Sequence, residues 1–172
     1  MNEKTKSIIK RRSIRSYEDR QISSETLDAI LEAGTYAPTG MNRQSPIMIA
    51  ITNKEMRDRL SRLNASIMGS TNDPFYGAPA VIIVLADRTI PTYIYDGSLV
   101  MGNLMLAAHK LGLGSCWIHR AKEMFETEEG KKLLLDLGIK GDYEGIGNCI
   151  IGYPKTIPEA RERKKNYVYK VN

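Results

Sequence analysis

Asn103-Leu104-Met105-Leu106-Ala107-Ala108, followed by Leu111-Gly112-Leu113-Gly114-Ser115-Cys116-Trp117, is the stretch on which the fold turns. From residue 96 to residue 113 apolar side chains fall on nearly all sides of a helix, among them Leu99, Val100, Met101, Leu104 and Leu111, which predicts a central buried helix. Gly112 and Gly114 end it, and Ser115-Cys116-Trp117-Ile118 reads as a strand. Outward from there, the Val- and Ile-rich runs 47–51 and 80–85, bounded by Pro46 and Pro79, read as buried strands, and 148–152 as a last core strand. Residues 54–63 read as an exposed amphipathic helix, and 122–137 is helical again. Ser23 or Ser24 caps a further helix with Leu27, Ile30, Leu31 and Gly34 on one face, ending before Pro38. Strands separated by helices leave α/β and α+β layering both open.

At 172 residues and 19.3 kDa the length predicts one domain spanning 1–172. Surface scaling lets such a chain bury about 70% of its unfolded surface, enough for a core without metals or disulfides. Hydrophobic residues at 42% and charged residues at 26% exclude disorder and low complexity. The net charge of +5 is concentrated at the two ends. Lys4, Lys6, Lys10, Arg11, Arg12 and Arg15 stand at one, and Arg161, Arg163, Lys164, Lys165 and Lys170 at the other. Two such clusters suit a few phosphate oxygens better than a long polyanion, and no recognition helix or stacking-sheet signature accompanies them, so nucleic acid is not expected as a partner. Two cysteines without metal-binding spacing, no apolar leader and no bilayer-length apolar run predict a cytoplasmic protein with no membrane partner and no metal site.

Arg11-Arg12-Ser13-Ile14-Arg15-Ser16 offers a dense fork of donors to a phosphate dianion, although a basic run by itself also fits a solvated end. The loop 37–46 holds Thr39, Asn42 and Gln44 between prolines, with Gly40 free to take unusual dihedrals, which suits the polar edge of a heteroaromatic ring as well as an ordinary connection. Gly112-x-Gly114 follows a helix and precedes a strand, the reverse of a dinucleotide fingerprint. Cys116 and His119 would point to opposite faces of one strand, so Cys116 reads as structural. His109 reads as a core histidine with its hydrogen bonds satisfied.

Taken in order, Arg11 to Tyr17, the Ala37-Pro38-Thr39 to Asn42-Arg43-Gln44 loop, Asn103 to Trp117, and Ile151-Gly152-Tyr153-Pro154 resemble the FMN-dependent nitroreductase family over residues 7–165. The resemblance implies an α+β sandwich with a central, mostly antiparallel sheet flanked by helices, and a homodimer holding FMN at its interface. It also implies reduction by NADH or NADPH in a ping-pong cycle, with nitroaromatics, quinones or similar small molecules as electron acceptors. No side chain need act as nucleophile or base, so no catalytic residue is expected.

Carried over by resemblance, Arg11, Arg12 and Ser13 hold the phosphate and ribityl end, and Arg15 approaches the pyrimidine edge as an electrostatic tuner. Pro38, Thr39, Gly40, Asn42 and Gln44 belong to the loop that reaches FMN from the other subunit, and Asn72 matches an asparagine contacting the ring. Trp117, Ile118 and His119 match the segment on the flavin's other face, where a backbone N–H can serve N5. One of Arg163, Lys164 and Lys165 closes on the phosphate. Gln44-Ser45-Pro46 stands where many members have Gln-Pro-Trp, and the chain is too short for the long helical insertion that shapes the substrate channel of larger members. A flavoenzyme with another acceptor, such as a reductive dehalogenase, and a flavin-binding module without turnover are the competing readings.

Overall fold

The Val- and Ile-rich run 80–85 is the most deeply buried part of the chain, and the fold is laid out around it. The computed structural model describes residue 2 and residues 5–171; Lys4 of the basic cluster lies outside the described residues. Strand β2 (Ala80–Asp87) is central, paired antiparallel with β1 (Pro46–Ile51) on one side and β4 (Tyr143–Gly152) on the other. β3 (Gly114–Ile118) pairs antiparallel with the far side of β4, giving the order β1-β2-β4-β3. The α+β alternative is therefore the correct one, with four antiparallel strands.

Alternate side chains of β2 enter two cores, as the two-residue period of a strand requires. Ile82 and Val84 pack with Ile30, Met101 and Leu104 on one face, while Val81, Ile83 and Leu85 pack with Leu60, Phe75 and Met124 on the other. The first face is covered by α2 (Ser24–Thr35), whose Thr26 N–H donates to the Ser23 hydroxyl, and by α4 (Tyr93–Lys110). The second is covered by α3 (Lys54–Ile67), capped by Asn53, and by α5 (Ala121–Glu126). A short α1 (Lys6–Lys10) lies against α4.

Three departures from expectation have physical causes. The stretch 122–137 is two helices, α5 and α6 (Glu128–Asp136), because extended Thr127 ends the first and its hydroxyl accepts from Gly130 N–H to cap the second. β4 begins at Tyr143, five residues before the predicted start. Its glycines look like loop in sequence, but a side chain at Gly145 would strike the Ala121 backbone and one at Gly147 the Trp117 indole. Finally, α4 is buried on one side only. Val100, Met101, Leu104 and Ala108 face the core, whereas Ile94, Tyr95 and Leu99 remain exposed.

Candidate active site

Segment 11–15 runs beside β3, tied by a parallel bridge between Ser13 and Ser115 and by Ile14 N–H donating to Ser115 O at 3.0 Å. Ile14 fills the space above Gly114, so the arginines on either side are held at the end of the sheet. There Lys10, Arg11, Arg12, His109 and Ser115 line a cavity of about 150 Å³. Arg11 Nη1 is buried in the protein with no hydrogen-bond acceptor among the described residues. Arg12 Nη1 instead donates to Ile9 O and Arg11 O, both at 2.7 Å, closing the end of α1.

A buried guanidinium nitrogen without an acceptor is destabilising unless an anion completes it. The cations around this cavity therefore fit a phosphate group such as that of FMN, with Arg12 Nη1 already committed to backbone carbonyls and Arg11 Nη1 not. His109 is not a satisfied core histidine: it is half-buried on this cavity, and burial, then Arg11, Arg12, Lys110 and Lys10, hold its pKa below the ordinary value.

Further along, Ser13 hydrogen-bonds to the Cys116 thiol, which burial pushes up in pKa, so Cys116 is a packing residue and no nucleophile. Arg15 is exposed, with no hydrogen bond or ion pair among the described residues. Trp117 lies half-buried against Gly147 and Met101, Ile118 is buried on the opposite face, and His119 is exposed just past the strand.

The loop after α2 is a second, separate assembly. Asp96, 2% exposed, accepts from Gly40 N–H at 2.9 Å, Ser45 Oγ at 2.7 Å and Thr92 Oγ1 at 3.0 Å. Gly40 is required, since a Cβ would run into the Thr92 side chain. Thr39 Oγ1 accepts from Gln44 N–H, and Met41, Asn42 and Gln44 take positive φ of 53°, 54° and 50°. Held in this strained turn, Pro38, Met41, Asn42 and Gln44 project outward, Met41 at 84% exposure. None of them lines the Arg11 cavity of the same chain.

Although burial opposes the charge on Asp96, its three donors outweigh burial and hold its pKa below the ordinary carboxylate value. Its stabilising contribution is thus present at neutral pH and lost as pH falls through the folded-state value. We expect Asp96→Ala to lower stability by about 2–3 kcal/mol, from hydrogen bonds to a buried charge. Tm at pH 7 reads the loss, and a variant whose Tm matches wild type would exclude the anchoring role.

Asn72 sits on the exposed segment between α3 and β2. That segment is organised by Asp73, which accepts from Arg57 Nη2, Phe75 N–H, Gly77 N–H and the Ser61 hydroxyl. Arg163, Lys164 and Lys165 lie on an exposed C-terminal arm, where the Arg163 guanidinium donates to Arg161 O. No hydrogen bond or ion pair among the described residues joins them to the Arg11 cavity, so one chain does not bring the two basic ends together.

Asp96 was missed in the sequence, where it looks like an ordinary residue at the start of a helix.

The chain thus sets an antiparallel α+β sandwich with a cationic cavity at one end of the sheet and, apart from it, a strained polar loop. The chain matches the Nitroreductase family over residues 8–157 and belongs to that family. It is 37% identical over 161 residues to a protein of Archaeoglobus fulgidus described as "Putative NADH dehydrogenase/NAD(P)H nitroreductase", covering 90% of this chain and 87% of that one. It is 29% identical over 181 residues to the FMN reductase [NAD(P)H] of Bacillus subtilis, covering 90% and 67%. The solved structure of a nitroreductase with bound FMN from Bacteroides fragilis superposes with a TM-score of 0.90 at 28% identity over the whole of both chains.

Proposed function

We propose that the chain is an FMN-dependent NAD(P)H oxidoreductase that works as a homodimer, reducing nitroaromatics, quinones or similar small acceptors in a ping-pong cycle. The observation that carries this reading is the cationic cavity at the end of β3, lined by Lys10, Arg11 and Arg12, beside which one Arg11 nitrogen is buried with no acceptor among the described residues. Bound FMN supplies the redox chemistry, accepting hydride from NADH or NADPH and delivering it to the second substrate. The protein's part is to bind and orient. Arg11, Arg12 and Ser13 hold the phosphate and ribityl end, Arg15 places positive charge at the pyrimidine edge, and Trp117, Ile118 and His119 line one side. Asn72 contacts the ring, and one of Arg163, Lys164 and Lys165 closes on the phosphate. Residues 1–172 act as one FMN-binding domain, in a cytoplasmic setting that suits two free thiols. Among the described residues no helix is long and apolar enough to cross a membrane.

The dimer is supported by surface that one chain leaves uncovered. The chain exposes 10910 Å², about 2,400 Å² more than the roughly 8,500 Å² expected of a compact monomer of this mass. Part of the excess is the C-terminal arm, but Tyr36, Met41, Tyr95 and Leu99 gather around the projecting loop and the outer face of α4. Covering that face by twofold symmetry would bring Pro38, Thr39, Gly40, Asn42 and Gln44 of each chain to the other chain's cavity.

The deciding experiment loads the protein with FMN and follows NADH and NADPH oxidation with and without a nitroaromatic or quinone. Acceptor-dependent turnover with parallel double-reciprocal lines is expected. A yellow, FMN-saturated protein that oxidises neither nucleotide would leave the flavin-binding module as the correct reading.

Two further outcomes follow from charge. Arg15→Gln should lower the flavin midpoint potential and slow its reduction, because one charge beside a partly buried ring is worth about 1–3 kcal/mol. An unchanged potential in a variant that binds FMN fully would rule that role out. His109 is neutral in the folded chain at a pH where the unfolded chain would bind a proton, so without ligand it lowers stability as pH falls through and below 6.5. A phosphate dianion among Lys10, Arg11, Arg12 and Lys110 reverses that field and raises the pKa of His109. Each unit regained is worth about tenfold in affinity once the imidazole is protonated. FMN affinity of wild type relative to His109→Gln should therefore grow from pH 7.5 to pH 6, while riboflavin shows no such trend. A ratio independent of pH would remove His109 from the phosphate site.

A further inference from the structure

Two carboxamides stand in the core where α3, α5 and β4 meet the end of β3. Asn64, on α3, and Asn148, in β4, are both 0% exposed. Each donates through Nδ2 to the same carbonyl, His119 O, at 2.8 and 3.2 Å, and Asn148 also donates to Ile118 O at 3.3 Å. Both Nδ2 groups also lie against Met124 Sδ, at 3.2 and 3.6 Å. Their Oδ1 atoms have no hydrogen-bond partner among the described residues. A buried amide oxygen without a donor is destabilising, and few are tolerated in an interior. Leucine is close to asparagine in shape and would avoid that penalty, but it would take these donors away from the His119 carbonyl, so what the pair secures is that carbonyl.

What the pair does hold is one peptide. Arg120, which follows that carbonyl, sits in the left-handed region at φ 73° and ψ 15°, a strained state for a non-glycine residue that persists only when its surroundings impose it. No peptide bond among the described residues is cis, so in the His119–Arg120 peptide C=O and N–H point in opposite directions. With the carbonyl drawn inward by two donors, the Arg120 N–H is turned out of the core at the end of β3. It meets no acceptor among the described residues.

We infer that Asn64 and Asn148 are paired positioning residues, which hold the His119–Arg120 peptide in its left-handed turn so that its outward N–H is a preset hydrogen-bond donor to the bound flavin ring. The inference rests on the FMN reading above and extends it to two residues that touch neither cofactor nor substrate. The sulfur shared by both amides couples them, so loss of either loosens the same carbonyl.

The test replaces each asparagine by leucine, with Asn64→Ser and Asn148→Thr in reserve should a leucine variant not fold. In the FMN-free protein, the backbone chemical shifts and amide exchange of Arg120 are compared with wild type. In the FMN-loaded protein, the ring nitrogen resonances of 15N-labelled FMN, the FMN dissociation constant and the rate of reduction by NAD(P)H are measured. The expected result is that Arg120 leaves the left-handed region and the ring nitrogen resonances move. FMN affinity should change less than about threefold while reduction slows roughly three- to tenfold, the worth of one hydrogen bond. An Arg120 conformation and ring resonances identical to wild type in both variants would overturn the proposal. A lower Tm with unmoved resonances would do the same, since it marks a purely structural pair. Failure of the wild-type protein to bind FMN would instead overturn the functional reading, and the Arg120 measurement on the cofactor-free chain would still decide whether the clamp exists.

Discussion

A mixture of two inactive variants, one carrying Arg11→Ala and the other Asn42→Glu, is expected to regain up to half of wild-type activity in each mixed dimer. The reason is geometric. Arg11 lines the cavity at the end of β3, whereas Asn42 projects from the loop anchored on Asp96 and does not line that cavity in its own chain. Twofold symmetry would build each site from one chain's cavity and the partner's loop, so a mixed dimer concentrates both lesions in one site and leaves the other intact. The glutamate adds size and charge because the loss of one neutral hydrogen bond at Asn42 is worth only about 1 kcal/mol. The experiment needs each variant shown folded and dimeric, then subunit exchange, then turnover with NAD(P)H and an acceptor. Well-formed mixed dimers that recover nothing would place Arg11 and Asn42 in the same site, and the shared-site arrangement would fail.

The second large effect concerns Arg11 alone. If Arg11 holds the phosphate as proposed, Arg11→Ala removes a charge-assisted bond to it, and the buried Nη1 with no acceptor among the described residues goes with it. Such bonds are worth about 1.5–3 kcal/mol, which converts to a roughly ten- to hundredfold weaker FMN dissociation constant. Riboflavin, which lacks the phosphate, should bind both proteins alike. Arg12→Ala should weaken FMN less at the phosphate while loosening the end of α1, since its Nη1 is already committed to two backbone carbonyls. Equal losses of FMN and riboflavin affinity in Arg11→Ala would sink the phosphate assignment. Calorimetric titrations of both ligands, read side by side, separate the cases.

Much of the architecture could be read from local pattern. The helix capped by Ser23, the runs that became β1 and β2, and the strand β3 depend on interactions within a few residues and were found close to where expected, whereas α4 runs Tyr93–Lys110 instead of 96–113. The basic segment at Arg11 and the stiff loop around Asn42 were visible for the same reason, since their chemistry is local. The first half of β4 was not legible, because Gly145 and Gly147 are needed by Ala121 and Trp117, which are distant in sequence. Nor was the exposed side of α4, since composition cannot say which apolar face a single chain will cover.

By itself the sequence determined most of the element order, though neither α1 nor the break between α5 and α6, together with the two basic ends and a resemblance strong enough to name a family. The tertiary structure decided which of those residues meet. It paired the strands antiparallel, left one Arg11 nitrogen buried without an acceptor, tied the projecting loop to Asp96 across 51 to 56 residues of chain, and set Asn64 and Asn148 on one carbonyl. Those outcomes depend on long-range packing and on the desolvation of particular atoms. Both are properties of the assembled core, and neither is written in any local window of the chain.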